Sequence, residues 1–198
     1  MRCETLVLAA GASRRFNGIK LLAKHPKYDM SLIEHSVAQL DASPFSNLKV
    51  VLGHYHEAIR QHLHQRYEVI MSENFAQGLS HTIADGVAQL DPSSSHVMLV
   101  LADQHQLNLR DYRQLFDALH RAPTSIHCCK SEQGISPPVI FPKRFFSELM
   151  SLHGRKGAKS LLQKYAQLRV DTDIINAGFD VDTRQQLDNY SNLARGNL

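Results

Sequence analysis

Apolar residues in this chain fall into short unbroken runs, separated by longer stretches with helical spacing. Thr5-Leu6-Val7-Leu8-Ala9 is a continuous run stopping at Gly11, as a strand covered on both faces would be. Residues 11–20, GASRRFNGIK, have no apolar period and read as a loop. Ser31 followed by Glu34 forms a capping-box pattern, and Ile33, Val37 and Leu40 continue it as a helix. Strand-loop-helix is therefore the opening unit.

The pattern then repeats. Lys49–Leu52 reads as a strand ending at Gly53, residues 55–66 as a polar helix, and Glu68–Met71 as a third strand. Leu79, Ile83, Val87 and Leu90 mark a helix, and Val97–Leu101, the most apolar strand, is expected at the centre. Further expectations are a helix over 110–120, a strand near 125–129 and an extended piece Val139-Ile140-Phe141. Helices near 143–151 and 157–166, short strands after 167 and a last helix from about 184 complete the reading. The alternation predicts an α/β fold with a mostly parallel sheet covered on both faces. Ligands of such sheets bind beyond the carboxyl ends of the strands. That singles out the loops after Ala9, after Leu101 and around Phe179.

Composition narrows this picture. With 198 residues, 43% hydrophobic and 21% charged, the chain is expected to be one domain over 1–198 that buries roughly 70% of its unfolded surface. Leu6–Ala10 is too short for a signal-peptide core, and no run approaches the roughly 20 apolar residues of a membrane helix. The expectation is a cytoplasmic protein with no membrane partner. A formal charge of +3, with scattered cations, gives no nucleic-acid footprint. Three cysteines, two of them adjacent (Cys128 and Cys129), read as structural thiols. The twelve histidines, including the pairs His54/His56 and His62/His64, read as solvated surface residues rather than metal ligands.

Three segments could carry chemistry. The small residues Ala9, Ala10, Gly11 and Ser13 directly follow a buried strand, so backbone N–H groups can meet phosphate oxygens while Arg15 and Lys20 neutralise charge. The alternative is a basic surface loop; neither GxxxxGK[ST] nor GxGxxG is present. Asp103, just past the most apolar strand, is placed to hold Mg²⁺, or else to cap a turn. Asp180 and Asp182 alternate before the last helix, so on a strand they would share one side and one could be a second metal carboxylate. The alternative is that Asp182 or Thr183 is that helix's N-cap.

LAAGASRRFNGIK resembles the LAAGxSxRxGxxK signature of the MobA-like nucleotidyltransferase superfamily. The blocks around Gly53, Asn74–Ser80, Leu101–Gln104, Pro138–Phe141, Gly157–Leu162 and Asp180–Thr183 follow in the order of its molybdenum cofactor cytidylyltransferase branch. The resemblance implies a Rossmann-like three-layer sandwich, similar to nucleotide-diphospho-sugar transferases. It also implies transfer of a nucleotidyl group to the phosphate of molybdopterin, with release of pyrophosphate. Ala9-Ala10, where GTP users carry Gly-Gly, points to CTP. Carried over by position, Ala9, Ala10, Gly11 and Ser13 contact the nucleotide, and Arg15 and Lys20 the triphosphate. Asp103 and Asp182, or alternatively Asp180, hold Mg²⁺, while Gly78 and Ser80 lie near the base or the pterin. Catalysis is then expected to rest on Lys20, Arg15 and Asp103. The sequence departs from the family pattern at Asn17, Ile19, His105, Ile135–Pro137 and Arg155, mainly on the acceptor side. Two alternatives stay open: a related transferase using another triphosphate or phosphorylated acceptor, and a non-catalytic relative that hands cofactor to a molybdoenzyme or its maturation factor.

Overall fold

The computed structural model describes residues 1–195, and side chains as far as Tyr190. Seven strands form one sheet: β1 (Cys3–Ala9), β2 (Leu48–Leu52), β3 (Glu68–Met71), β4 (His96–Leu101), β5 (Ile126–Ser131), β6 (Gly134–Pro142) and β7 (Arg169–Asp173). Their order is β3-β2-β1-β4-β6-β5-β7, so β4 lies in the middle as its apolar run demands. Six strands are parallel and β6 alone runs against its neighbours β4 and β5. The tight turn at Glu132–Gln133, between β5 and β6, dictates that reversal, since a parallel neighbour needs a longer crossover.

Alternation along each strand builds two cores. Val7, Ala9, Val50, Leu52, Met98 and Val100 face one layer of helices, while Leu6, Leu8, Val51, Val97 and Leu99 face the other. The first layer contains α1 (Leu32–Asp41), α2 (His56–Gln61) and α4 (Leu109–Arg121); the second contains α3 (Leu79–Val87), α5 (Phe146–Met150) and α6 (Lys159–Lys164). Each buried Val or Leu contributes roughly 1.5–3 kcal/mol, so these two-faced strands dominate stability. Cys128 and Cys129 belong to opposite cores, and all three cysteines are free thiols. The last helix, α7 (Arg184–Arg195), docks through Leu187 on a small cluster with Phe16 and Val181. Ser31 and Glu34 form the expected capping box. Among the described residues no helix is long and apolar enough to cross a membrane.

Four expectations need correction. The helix read over 55–66 is only His56–Gln61, because the rest of that segment buries little. One strand, β7, follows residue 167. The Asp180–Asp182 segment is not a strand; it follows a 3₁₀ turn (Ile175–Gly178) and pairs with no ladder. The histidines divide: His54, His56, His62 and His64 are exposed, but His25, His35, His96, His105 and His127 are buried. For three of these a ring nitrogen meets a backbone carbonyl: His25 Nε2 meets His105 at 3.0 Å, His96 Nε2 meets Pro123 at 2.7 Å and His127 Nε2 meets Ala122 at 2.8 Å, while Nδ1 of His35 and of His105 is buried without a partner.

Candidate active site

The chain leaves β1 through Ala10 into a loop whose backbone is turned outward. Ser13 and Asn17 adopt positive φ (47° and 54°), and Gly18 follows at 135°. Asn17 takes a left-handed conformation itself, as asparagine can more readily than most residues. Among the described residues the N–H groups of Gly11, Ala12 and Ser13 donate to no protein acceptor. Consecutive unpaired N–H groups at a turn make a concave anion-binding surface. Two anchors hold it. Phe16 is buried with Val181 and Leu187, and the Tyr55 hydroxyl donates to the Ala12 carbonyl at 3.3 Å.

Lys20 opens a 3₁₀ turn whose next residue, Leu21, is buried in the first core. Its N–H donates to Ser13 Oγ at 3.4 Å, and its ammonium is hydrogen-bonded to Asp103 Oδ2. Both side chains are mostly covered, at 14% and 17% exposure. Asp103 is reached one residue past the buried Ala102, whose N–H donates to Leu8 O at 3.2 Å and so ties the ends of β4 and β1 together. Arg15 meets Asp182 Oδ1 at 2.9 Å in a more exposed pair.

Asp180 and Asp182 have different surroundings. Asp182 faces the loop through Arg15, whereas Asp180 lies near Asp103. The Asp180 carboxyl is pushed up to about 6, first by desolvation and then by the Asp103 charge; Lys20 partly offsets both. By surface area Asp180 counts as exposed. Asp180 therefore stands open to solvent on one side and is backed by protein on the other, close to Asp103 and Lys20 but outside the lining of the cleft. Gln104 positions this segment: its Nε2 donates to Ala177 O at 2.7 Å and Pro137 O at 2.8 Å, and Ser136 Oγ donates to the same Ala177 carbonyl at 3.0 Å.

These groups border a cleft with two connected compartments. A slot of about 250 Å³ is walled by Leu8, Ala9, Ala10, Phe75, Leu79 and Thr82, with Lys20 and Asp103 at its polar end. A wider mouth of about 850 Å³ carries Arg14, Arg15, Lys20, Arg155 and Asp182. Gly53 has to be glycine, since a Cβ there would lie 2.7 Å from Phe75 and 2.8 Å from the Ala10 methyl. Phe75 can therefore pack over the end of β2.

Of the residues singled out by sequence, Ala9, Ala10, Gly11, Ser13, Arg15, Lys20, Gly78, Asp103 and Asp182 all line the cleft. Ser80 does not: its hydroxyl is buried and donates to the Gly157 carbonyl at 3.2 Å, fastening a loop instead. Sequence reasoning gave no role to Phe75, Thr82, Arg14, Tyr55 or Gln104. Their signal was position alone, since each follows a strand's carboxyl end or begins the next helix.

The donors fit a hard divalent cation, being carboxylate oxygens beside a row of unpaired backbone N–H groups. Among the described residues no three His, Cys, Asp or Glu side chains gather to hold a metal. Mg²⁺ does not require such a cage, because it takes one or two carboxylates plus substrate phosphates.

Residues 5–170 match the MobA-like NTP transferase domain, and the chain belongs to that family. Its domain is thus of the MobA-like NTP transferase class. Rv0371c from Mycobacterium tuberculosis H37Rv is 25% identical with a TM-score of 0.81, covering 97% of this chain and 98% of that one. A further structure of that protein is a complex with manganese. Molybdopterin-guanine dinucleotide biosynthesis protein A from Archaeoglobus fulgidus shares the fold at a TM-score of 0.69 and 15% identity, over 98% of this chain and 99% of that one. Bifunctional protein GlmU of Exiguobacterium sp. is 31% identical over 98 residues, which is 50% of this chain and 22% of GlmU. The match covers no more than 25% of the length of the curated GlmU relatives.

Proposed function

We propose that this protein transfers the cytidylyl group of CTP to the phosphate of a molybdopterin-type acceptor, with Mg²⁺ as the metal. The observation that carries the reading is the paired charge at the phosphate-binding loop: Lys20 on Asp103 and Arg15 on Asp182, beside the free N–H groups of Gly11, Ala12 and Ser13. Each pair can be exchanged for substrate contacts, cation to phosphate and carboxylate to metal. The choice of CTP rests on the resemblance, in which Ala9-Ala10 stands where GTP users carry Gly-Gly; both alanines line the slot.

An acceptor phosphate oxygen bonds to the α-phosphorus as the bond from that phosphorus to the bridging oxygen breaks, and pyrophosphate leaves with the electron pair. The loop N–H groups, Arg15 and Lys20 hold the β- and γ-phosphates and stabilise the charge on the departing pyrophosphate. Asp103 and Asp182, with Asp180 nearby, would hold Mg²⁺, which supplies Lewis-acid neutralisation of the phosphates. No residue needs to form a covalent intermediate.

Pyrophosphate release with molybdopterin, Mg²⁺ and CTP, GTP or ATP in parallel tests this. Release with CTP alone supports the reading. Release with GTP or ATP instead overturns the base assignment, and silence with an acceptor proven on a known transferase overturns the acceptor.

A further inference from the structure

The mouth of the cleft carries more positive charge than the nucleotide half uses. Arg14, Arg15, Lys20 and Arg155 line it. The first three lie on the loop that follows β1. The fourth, Arg155, comes from the segment before α6, and among the described residues it makes no hydrogen bond or ion pair. An unpaired guanidinium on the wall of an 850 Å³ cleft is a ready anion site, because its planar fork of donors matches phosphate oxygens.

The fold holds this loop in place. Gly78 has φ 119°, and a Cβ there would lie 2.7 Å from the Gly154 carbonyl oxygen and 2.8 Å from Arg155 Cα, so the two backbones are in contact. Ser80 N–H donates to Gly154 O at 3.2 Å, Ser80 Oγ to Gly157 O at 3.2 Å, and Gly154 N–H to His81 Nε2 at 3.4 Å. Gly157 is closed on the other side by Leu79, 2.8 Å from where its Cβ would stand. The first turn of α3 thus carries the 154–157 loop as a fixed unit and sets Arg155 at the cleft wall. In this arrangement Gly78 and Ser80 are positioning residues.

We infer that Arg155 binds the phosphate of the acceptor, making this enzyme selective for dianionic phosphomonoester acceptors over neutral alcohols. The inference rests on the transferase reading above. In an in-line displacement the attacking and leaving oxygens lie on opposite sides of the α-phosphorus, and the cradle loop with Arg15 and Lys20 takes the leaving side. The attacking phosphate must be held by a cation from another element, and Arg155 is the cation lining the mouth that comes from one.

The test titrates inorganic phosphate into the full chain saturated with Mg²⁺ and a non-hydrolysable CTP analogue, for wild type, R155A and R155K. CTP-analogue affinity is measured separately. R155A should weaken phosphate binding about tenfold or more and leave the nucleotide constant within about twofold, with R155K in between. Unchanged phosphate affinity in R155A overturns the assignment, as does parallel loss of nucleotide affinity, which would put Arg155 in the triphosphate site. Wild type failing to bind the CTP analogue at all is a separate result that overturns the transferase reading itself.

Discussion

The two ends of the central sheet both carry charge, but they handle it differently. At the amino end, Glu4 is 1% exposed and every demand on it is met: Lys49 stands 3.3 Å away, the Asp91 N–H donates at 2.8 Å, and the Ser94 hydroxyl completes the set. Lys49 also meets Glu68 at 3.0 Å. Desolvation alone would lower the Lys49 pKa, yet its bond to Glu68 and the Glu4 charge outweigh it and the pKa is raised. At the carboxyl end, Lys20–Asp103 and Arg15–Asp182 are pairs with an open side, Asp180 is held near like charge, and Arg155 has no partner. A closed network serves the fold. An open one has interactions left over for a ligand, at some cost to the stability of the empty site.

The comparison predicts effects that separate cleanly. The largest is expected from Asp103→Ala: pyrophosphate release should fall by several orders of magnitude while the melting temperature of the empty protein changes far less, since a metal contact can be worth several kcal/mol at the transition state. Near-normal turnover would remove Asp103 from the chemistry. Glu4→Ala should do the reverse. It leaves Lys49 without one of its acids and strips acceptors from Asp91 N–H and Ser94, so unfolding in urea should show a loss of about 2–4 kcal/mol with kcat unchanged.

Asp180→Asn gives the smallest and most diagnostic shift. The folded pKa of about 6 lies above the ordinary carboxyl value of 3.8, so this group favours folding most below about 3.8 and loses that contribution as pH rises through 6. In metal-free protein at pH 8 the asparagine variant should be more stable by at most about 1 kcal/mol, allowing for solvent screening, with the gain fading towards pH 4. A thermal-melt series in EDTA across that range measures it. An equal or lower melting temperature at pH 8 would mean that Asp180 is not strained by its neighbours.

Much of the open end could be read before any coordinates. The apolar runs of β1 and β4 had to be buried strands, and whatever follows their carboxyl ends had to reach a ligand crevice, which put Gly11, Lys20 and Asp103 together. The Ser31–Glu34 cap was equally legible, because a capping box is a local pattern. Long-range contacts left no such trace. Nothing local shows that Gln104 will reach Ala177, that Phe16 will share a cluster with Val181, or that Ser80 will turn its hydroxyl onto Gly157. Period-two alternation put Asp180 and Asp182 on one side of a strand, but no neighbouring strand exists to hold that pleat, and they part to different partners. Three of the buried histidines, His25, His96 and His127, were missed for a related reason: their ring nitrogens meet backbone carbonyls supplied by distant elements or adjacent turns.

The ion pairs at the carboxyl end are expected to exchange partners together when metal and nucleotide arrive. Calorimetric titration of CTP into the wild-type chain, once with Mg²⁺ and once in EDTA, tests it directly, with Mg²⁺ alone as the third arm. CTP should bind at least about tenfold tighter with Mg²⁺, and Mg²⁺ alone should bind weakly, because Lys20 and Arg15 already occupy Asp103 and Asp182. CTP affinity that ignores Mg²⁺, or tight Mg²⁺ binding without nucleotide, would contradict it.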